Sequence, residues 1–178
     1  MIPVDSVARA ILYNLGEMYN RNHSDPELIE AINAVLRCVN LVLINKESNW
    51  ITKEMDIKRL RNGRAALPSD FAKMKGYTVT EEGVEKEYDG KYRIVKDTIY
   101  VDTTGRLSYY YVIPEVETME DEIDLPYIFL ELFIRYATGL LDGSFGKGAL
   151  DGLISSEVDG LAGTANYPVI ERPMQFYV

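Results

Sequence analysis

Apolar residues recur along this chain at two different periods, and the change between them divides it. Over residues 3–20, Val4, Ala8, Ile11, Leu12, Leu15, Met18 and Tyr19 fall three or four positions apart. That spacing places them on one face of an amphipathic helix. Asn22, His23 and Ser24 break the stripe. Asp25 reads as the N-cap of a second helix, with Pro26 at its first position and Glu27 in its first turn. Its stripe of Leu28, Ile32, Val35, Leu36, Val39, Val42 and Leu43 runs to about residue 44. A connection this short predicts two antiparallel neighbouring helices.

After a polar loop at 45–49 the helical period is lost. Residues 51–60 alternate imperfectly and predict an exposed strand. In Leu67-Pro68-Ser69-Asp70-Phe71, the proline forces Leu67 into an extended conformation. Ser69 or Asp70 can cap a single helical turn through Met74, which points Phe71 into the core. Residues 76–113 read as β. Tyr77 and Val79 alternate, and Asp89-Gly90 is a two-residue hairpin signal at the tip of the insert. Short strands are expected over 91–95 and 98–102, with a turn at Thr103-Thr104-Gly105. Leu107, Tyr109, Tyr111 and Ile113 then share one face of a longer strand, which Pro114 ends.

The helical period returns after an acidic run. Residues 115–124 hold six carboxylates and no basic residue. Asp124 reads as the cap of the next helix, with Pro126 in its first turn. Residues 127–141 are apolar nearly all round, the mark of a buried helix. Leu36, Val39, Ile128, Leu132 and Tyr136 are expected to form the core between this helix and the second one. A glycine-rich break at 142–148 precedes a weaker helix over 149–161. The pattern therefore predicts a mostly α protein with a β insert (α+β): an antiparallel helix bundle over 1–50 and 115–162, a small protruding antiparallel sheet over 51–114, and an extended C-terminal tail over 163–178.

Composition narrows the function. Hydrophobic residues make up 47% of the 178, enough for a packed core. The formal net charge is −9, which disfavours non-specific binding along phosphates, since that needs Lys and Arg. Cys38 is the sole cysteine, so no intrachain disulfide can form and a reducing compartment is expected. Residues 1–5 carry no basic n-region, and the apolar runs fall short of the ~20 residues that a bilayer span needs. A soluble, non-secreted protein is expected.

Little in the chain suggests catalysis. His23, the one histidine, lies in a polar loop with no cysteine or serine motif beside it. The acidic run lacks the glycine and ligand spacing of a calcium loop, so helix capping is the simpler reading. In the glycine-rich break, Gly146-Lys147 lacks the earlier glycine of a phosphate loop, and Gly148 stands where Ser or Thr is needed. Lys53, Lys58, Arg59, Arg61 and Arg64 form one basic segment without interleaved aromatics. The tyrosines, thirteen in all, are most concentrated in the β region, which holds seven of them and where they suit sheet packing and protein contact. Tyr167, Ile170, Met174, Phe176 and Tyr177 give the tail an apolar, aromatic character that suits docking on the chain itself or on a partner. No catalytic, cofactor or metal residue is assigned. A small metal-dependent hydrolase built on residues 115–124 is the alternative from a different class.

The helix pair, Leu67-Pro68-Ser69-Asp70-Phe71, Tyr109-Tyr110-Tyr111, the acidic run and the helix opening at Leu125-Pro126 together resemble the head-to-tail adaptor proteins of tailed bacteriophages. The similarity is greatest to the adaptors of short-tailed phages, also called tail accessory or head-completion proteins. It covers roughly residues 3–161 and lies in order and spacing. It implies a structural virion protein, assembled in the host cytoplasm as a ring, usually of twelve subunits, under the portal protein. Such a ring extends the DNA channel, lets packaged DNA pass without specific binding, and docks the tail proteins, with no membrane partner. The C-terminal segment commonly reaches along the portal. A tail-terminator or tail-completion ring component is the alternative within the same class.

Overall fold

The first helix closes well before its apolar pattern does. In the computed structural model, which describes residues 1–58, 60–81 and 83–164, α1 spans Val4–Asn14. Gly16 follows with φ of +74°, a left-handed conformation that glycine adopts at little cost and that ends helices. Val4, Val7, Ala8 and Ile11 are buried, while Met18 and Tyr19 stand in solvent. The second helix, α2, spans Asp25–Asn45. Its cap is Ser24, one residue before the expected Asp25. The Glu27 carboxylate accepts both the Ser24 backbone N–H and the Ser24 hydroxyl at 2.7 Å.

The third helix, α3 at Leu130–Leu141, begins later than expected, after a 3-10 turn at Tyr127–Phe129. Asp124 does not cap it; its Oδ2 accepts the Tyr111 hydroxyl at 2.7 Å. The tighter turn shifts the helical phase. Phe129 goes inward and is fully buried, while Ile128, expected in the core, is 47% exposed. Leu36, Val39, Leu132 and Tyr136 are buried as expected. The fourth helix, α4, spans Leu150–Thr164. α1 touches α2 little and packs chiefly on α3, whereas α2 packs on both α3 and α4. The expected pairing of the first two helices is therefore corrected: the most apolar helix serves both.

The larger correction concerns fold class. A mostly helical bundle with a small sheet is not what forms. Among the described residues the protein is α+β, with four helices and three antiparallel sheets, about 40% helix and 26% strand. Nine strands are described: β1 Ile2–Pro3, β2 Thr52–Ile57, β3 Arg64–Ala66, β4 Phe71–Glu81, β5 Val84–Glu87, β6 Arg93–Val95, β7 Thr98–Tyr100, β8 Gly105–Tyr111 and β9 Glu122–Ile123. They form a β1–β9 ribbon, a β2–β8–β4–β5 sheet and a β3–β7–β6 sheet. The reason is pairing between distant segments, which local patterns do not show. The expected exposed strand becomes β2 and pairs with β8, and β8 pairs with β4 on its other side. Tyr109, Tyr110 and Tyr111 are consequently all buried, not only the alternate ones.

The Leu67–Phe71 turn forms, with the Phe71 N–H donating to Pro68 O at 3.1 Å, but no helical turn follows. β4 starts at once, because the Asp70 carbonyl accepts the Val112 N–H at 2.8 Å. The Asp70 carboxylate meanwhile takes Lys53 Nζ at 2.9 Å and the Tyr109 hydroxyl at 3.2 Å.

Two buried asparagines of α2 clamp the chain as it leaves β8. Asn40 Nδ2 donates to Ile113 O at 2.9 Å and its Oδ1 accepts the Ile113 N–H at 3.0 Å. Asn33 does the same to Val116, at 2.8 and 2.9 Å. Gly105 matters at the other end of β8. A Cβ there would sit 2.2 Å from Thr78 O, on the backbone of β4, and against the Tyr77 ring. Gly105→Ala should therefore lower stability by about 1–3 kcal/mol through forced separation of β4 and β8. A urea midpoint equal to that of the parent protein would contradict that packing.

Candidate assembly surfaces

Asp89 and Gly90 lie exposed on the connection between β5 and β6. They are not a two-residue hairpin turn, since β5 and β6 belong to different sheets. Gly90 instead sits under the Tyr88 ring, where a Cβ would lie 2.2 Å from the ring. The Tyr88 hydroxyl donates to Asp102 Oδ1 at 2.6 Å, and that bond raises its pKa. The tight turns fall elsewhere. Asn62-Gly63, with φ of +55° and +70°, closes a turn in which the Arg61 N–H donates to Arg64 O at 3.0 Å. Asn-Gly is itself a strong hairpin signal. The tail residues Tyr167, Ile170, Met174, Phe176 and Tyr177 lie outside the described residues.

His23 is part of a loop clamp. Its Nδ1 lies 3.0 Å from both carboxylate oxygens of Glu17, a residue only 7% exposed. Glu17 Oε2 also accepts the backbone N–H groups of Asn22 and His23, at 2.9 and 3.1 Å. Burial alone would raise the Glu17 pKa, but these hydrogen bonds outweigh it and lower the pKa from 4.5 to about 2. The folded state thus favours the ionised form, so this stabilisation is complete above 4.5 and is lost as pH falls towards about 2. The stability gap between the parent protein and Glu17→Gln should shrink over that interval in urea titrations. A gap that stays constant would argue against the clamp.

The acidic run does not converge on one point. Glu115 pairs with Arg37 at 2.9 Å. Asp121 Oδ2 accepts the N–H groups of Glu117 and Thr118 at 2.7 and 2.8 Å, and Asp124 holds Tyr111. Among the described residues no group of three or more His, Cys, Asp or Glu side chains is placed to hold a metal ion. Cys38 is buried, and its thiol donates to Asp151 Oδ1 at 3.1 Å. Burial, with that carboxylate alongside, pushes the thiol up to about 12, so it carries no nucleophilic thiolate near neutral pH.

The glycine-rich break builds packing. After Asp142 and Gly143, with φ of +75°, Phe145 folds back over Gly139 and meets Tyr136 edge-on at 5.9 Å between centroids. Beside it opens an apolar hollow of about 640 Å³, between Pro26 and Ala31 of α2 and Leu140, Leu141 and Phe145.

The two larger sheets each turn one charged row outward. In β3–β7–β6, Arg64 and Arg93 both register opposite Tyr100, so the three share a face. The Arg93 guanidinium lies 5.1 Å from the Tyr100 ring centroid. The opposite face carries Ile99, fully buried. In β2–β8–β4–β5, register places Arg106 between Asp56 and Thr78, Glu54 beside Ser108, Glu87 beside Thr78 and Glu85 beside Thr80. Those residues share the face away from the buried Leu107, Tyr77 and Val79. Arg106 reaches Asp56 and Glu85 at 3.1 Å and Glu54 at 3.7 Å. The apolar rows of both sheets belong to one contiguous core.

The expected basic segment is thus divided. Lys53 is tied to Asp70 and lies 3.8 Å from the Tyr111 ring centroid, while Arg61 and Arg64 flank the Asn62-Gly63 turn. Arg93 joins Arg64 only through β7, and the Lys96-Asp97 turn that brings it there has no strong sequence signature, although Lys96 takes φ of +55°.

No helix among the described residues is long and apolar enough to cross a membrane. Compared with known proteins, the chain matches no family model. No curated protein matches it either.

Proposed function

We propose that this chain is a structural virion protein, a head-to-tail adaptor of the short-tailed bacteriophage type. Copies form a ring under the portal protein, extend the DNA channel and dock tail proteins. The observation that carries the reading is the clamp of Asn33 and Asn40 on the segment after β8. It mounts the β layer rigidly on the helices, in the order helix, helix, β, helix that resembles such adaptors. A rigid mount suits a subunit that must transmit position from portal to tail. The net charge of −9 suits a channel wall along which DNA slides without persistent phosphate contacts.

Electron micrographs of the protein mixed with portal particles test this directly. Added ring density beneath the portal is the expected result. Binding to tail tubes and not to portals would favour a tail-terminator ring. On this reading the tail residues Tyr167, Ile170, Met174, Phe176 and Tyr177 contact the portal or an adjacent subunit. Deleting residues 166–178 should abolish capture by portal particles while the melting temperature stays almost unchanged. Normal capture by the truncated chain, or its failure to fold, would remove that assignment.

A further inference from the structure

The two outward rows of charge are complementary, and they lie on different sheets of the same chain. On β3–β7–β6, Arg64 and Arg93 stand on either side of Tyr100 and are exposed. Among the described residues neither guanidinium has a carboxylate partner. Arg61 extends the row: with Arg64, Ala66 and Thr98 it lines a shallow concavity of about 340 Å³. This face is an exception on a chain of net charge −9.

On β2–β8–β4–β5 the outer face holds Glu54, Asp56, Glu85 and Glu87 around the single Arg106. Three of the four carboxylates already share that one guanidinium. A second concavity of about 280 Å³, with Asp56, Glu85 and Arg106 in its walls and Lys58 also lining it, opens on this face. Even with Lys58 included, carboxylates outnumber cations by two at this end of the face, Glu54, Asp56, Glu85 and Glu87 against Arg106 and Lys58, while Lys73, opposite Tyr110 farther along it, is paired with Glu47. The face can accept further guanidinium groups, whose flat fork matches carboxylate geometry.

We propose that the basic outer face of β3–β7–β6 in one copy docks on the acidic outer face of β2–β8–β4–β5 in the next. The contact is heterologous, since different patches meet. Such a contact does not stop at a dimer; it continues until a ring closes or a filament grows. The inference deepens the ring reading above and rests on it for closure. A nucleic acid is the less favoured occupant of the basic face. Proteins that hold duplex DNA through its backbone make about 6–10 phosphate contacts, whereas this row offers Arg61, Arg64 and Arg93, on a chain whose remaining surface repels phosphate. The acidic face needs no outside partner to be found; every copy carries one.

Charge reversal provides the test, read by sedimentation velocity of the full chain across concentration at low and high salt. The parent protein should associate at low salt and dissociate as salt rises, because these charges are exposed. The variant R64E/R93E has two acidic faces, and E54K/E85K has two basic ones. Each alone should remain monomeric, with its association weakened by about tenfold or more. Mixed in equal amounts they should associate again, since each acidic face now finds a basic one. Circular dichroism and melting temperature serve as the check on folding. A parent protein that is monomeric at every concentration, or single variants that still associate, would overturn the proposal. So would a mixture without rescue, or a parent that binds duplex DNA through Arg64 and Arg93 while its self-association ignores both reversals. Capture by portal particles is measured separately. Its failure with self-association intact would count against the adaptor reading and leave this contact standing.

Discussion

Asn40→Ala is expected to cost about 2–6 kcal/mol of folding free energy. The side chain is 6% exposed and serves both backbone groups of Ile113, which is itself buried. Truncation leaves one N–H and one C=O without a partner where water has little access, and each such group costs about 1–3 kcal/mol. A hydrophobic residue of the same size offers no rescue, because the orphaned groups belong to the backbone of another segment. The equivalent change at Asn33 strands Val116 in the same way. Losing both clamps approaches the whole stability of a typical domain, about 5–15 kcal/mol. Urea unfolding followed by circular dichroism reads the effect. A loss below about 1 kcal/mol for Asn40→Ala would mean that water replaces the amide, and that the β layer does not depend on α2 for its position. The rigidity invoked for an adaptor would then lack its main support.

Asn33 and Asn40 were visible in the sequence without being legible. They stand seven residues apart on one helix, between the apolar positions of its buried stripe. A polar residue inside such a stripe demands a partner, but nothing local says that the partner is backbone some eighty residues away. The same limit explains the other differences. α2 and the tyrosine-rich strand could be read because period and punctuation are local. The end of α1 was hidden, because Met18 and Tyr19 continue a stripe that Gly16 has already stopped. Asp89-Gly90 and Asn62-Gly63 are equally plausible turns by composition. Only pairing between distant strands decides that the second is tight and that the first joins two sheets. The candidate surfaces follow this pattern. Arg61 and Arg64 were legible as a basic segment, but Arg93 and the acidic face are assembled by strand register, which no single segment encodes. The aromatic tail was conspicuous in composition, and it lies outside the described residues.

The phase of α3 offers the sharpest contrast in expected effect. Phe133→Ala should cost about 3–5 kcal/mol, because the ring is fully buried and its removal leaves a cavity. Ile128→Ala should stay within about 0.5 kcal/mol, because Ile128 is 47% exposed. A helix running unbroken from Leu125 would put Ile128 into the core with Leu132 and Tyr136, four and eight positions on. The 3-10 turn at Tyr127–Phe129 prevents this, and Phe129 takes the inward position. The turn follows from Pro126, whose backbone is extended at φ −62° and ψ 152°, so the chain must bend sharply to enter the helix. Thermal or urea unfolding of the two variants side by side reads the phase directly. Comparable losses for both would place Ile128 inside and the start of the helix at Leu125. The effect of Phe133 also reports on how the helices are joined, since α1 and α2 both pack on α3 and hardly on each other. A cavity at Phe133 should therefore loosen the shared support of both helices, so the loss should appear as one cooperative transition and not as the separate melting of α1.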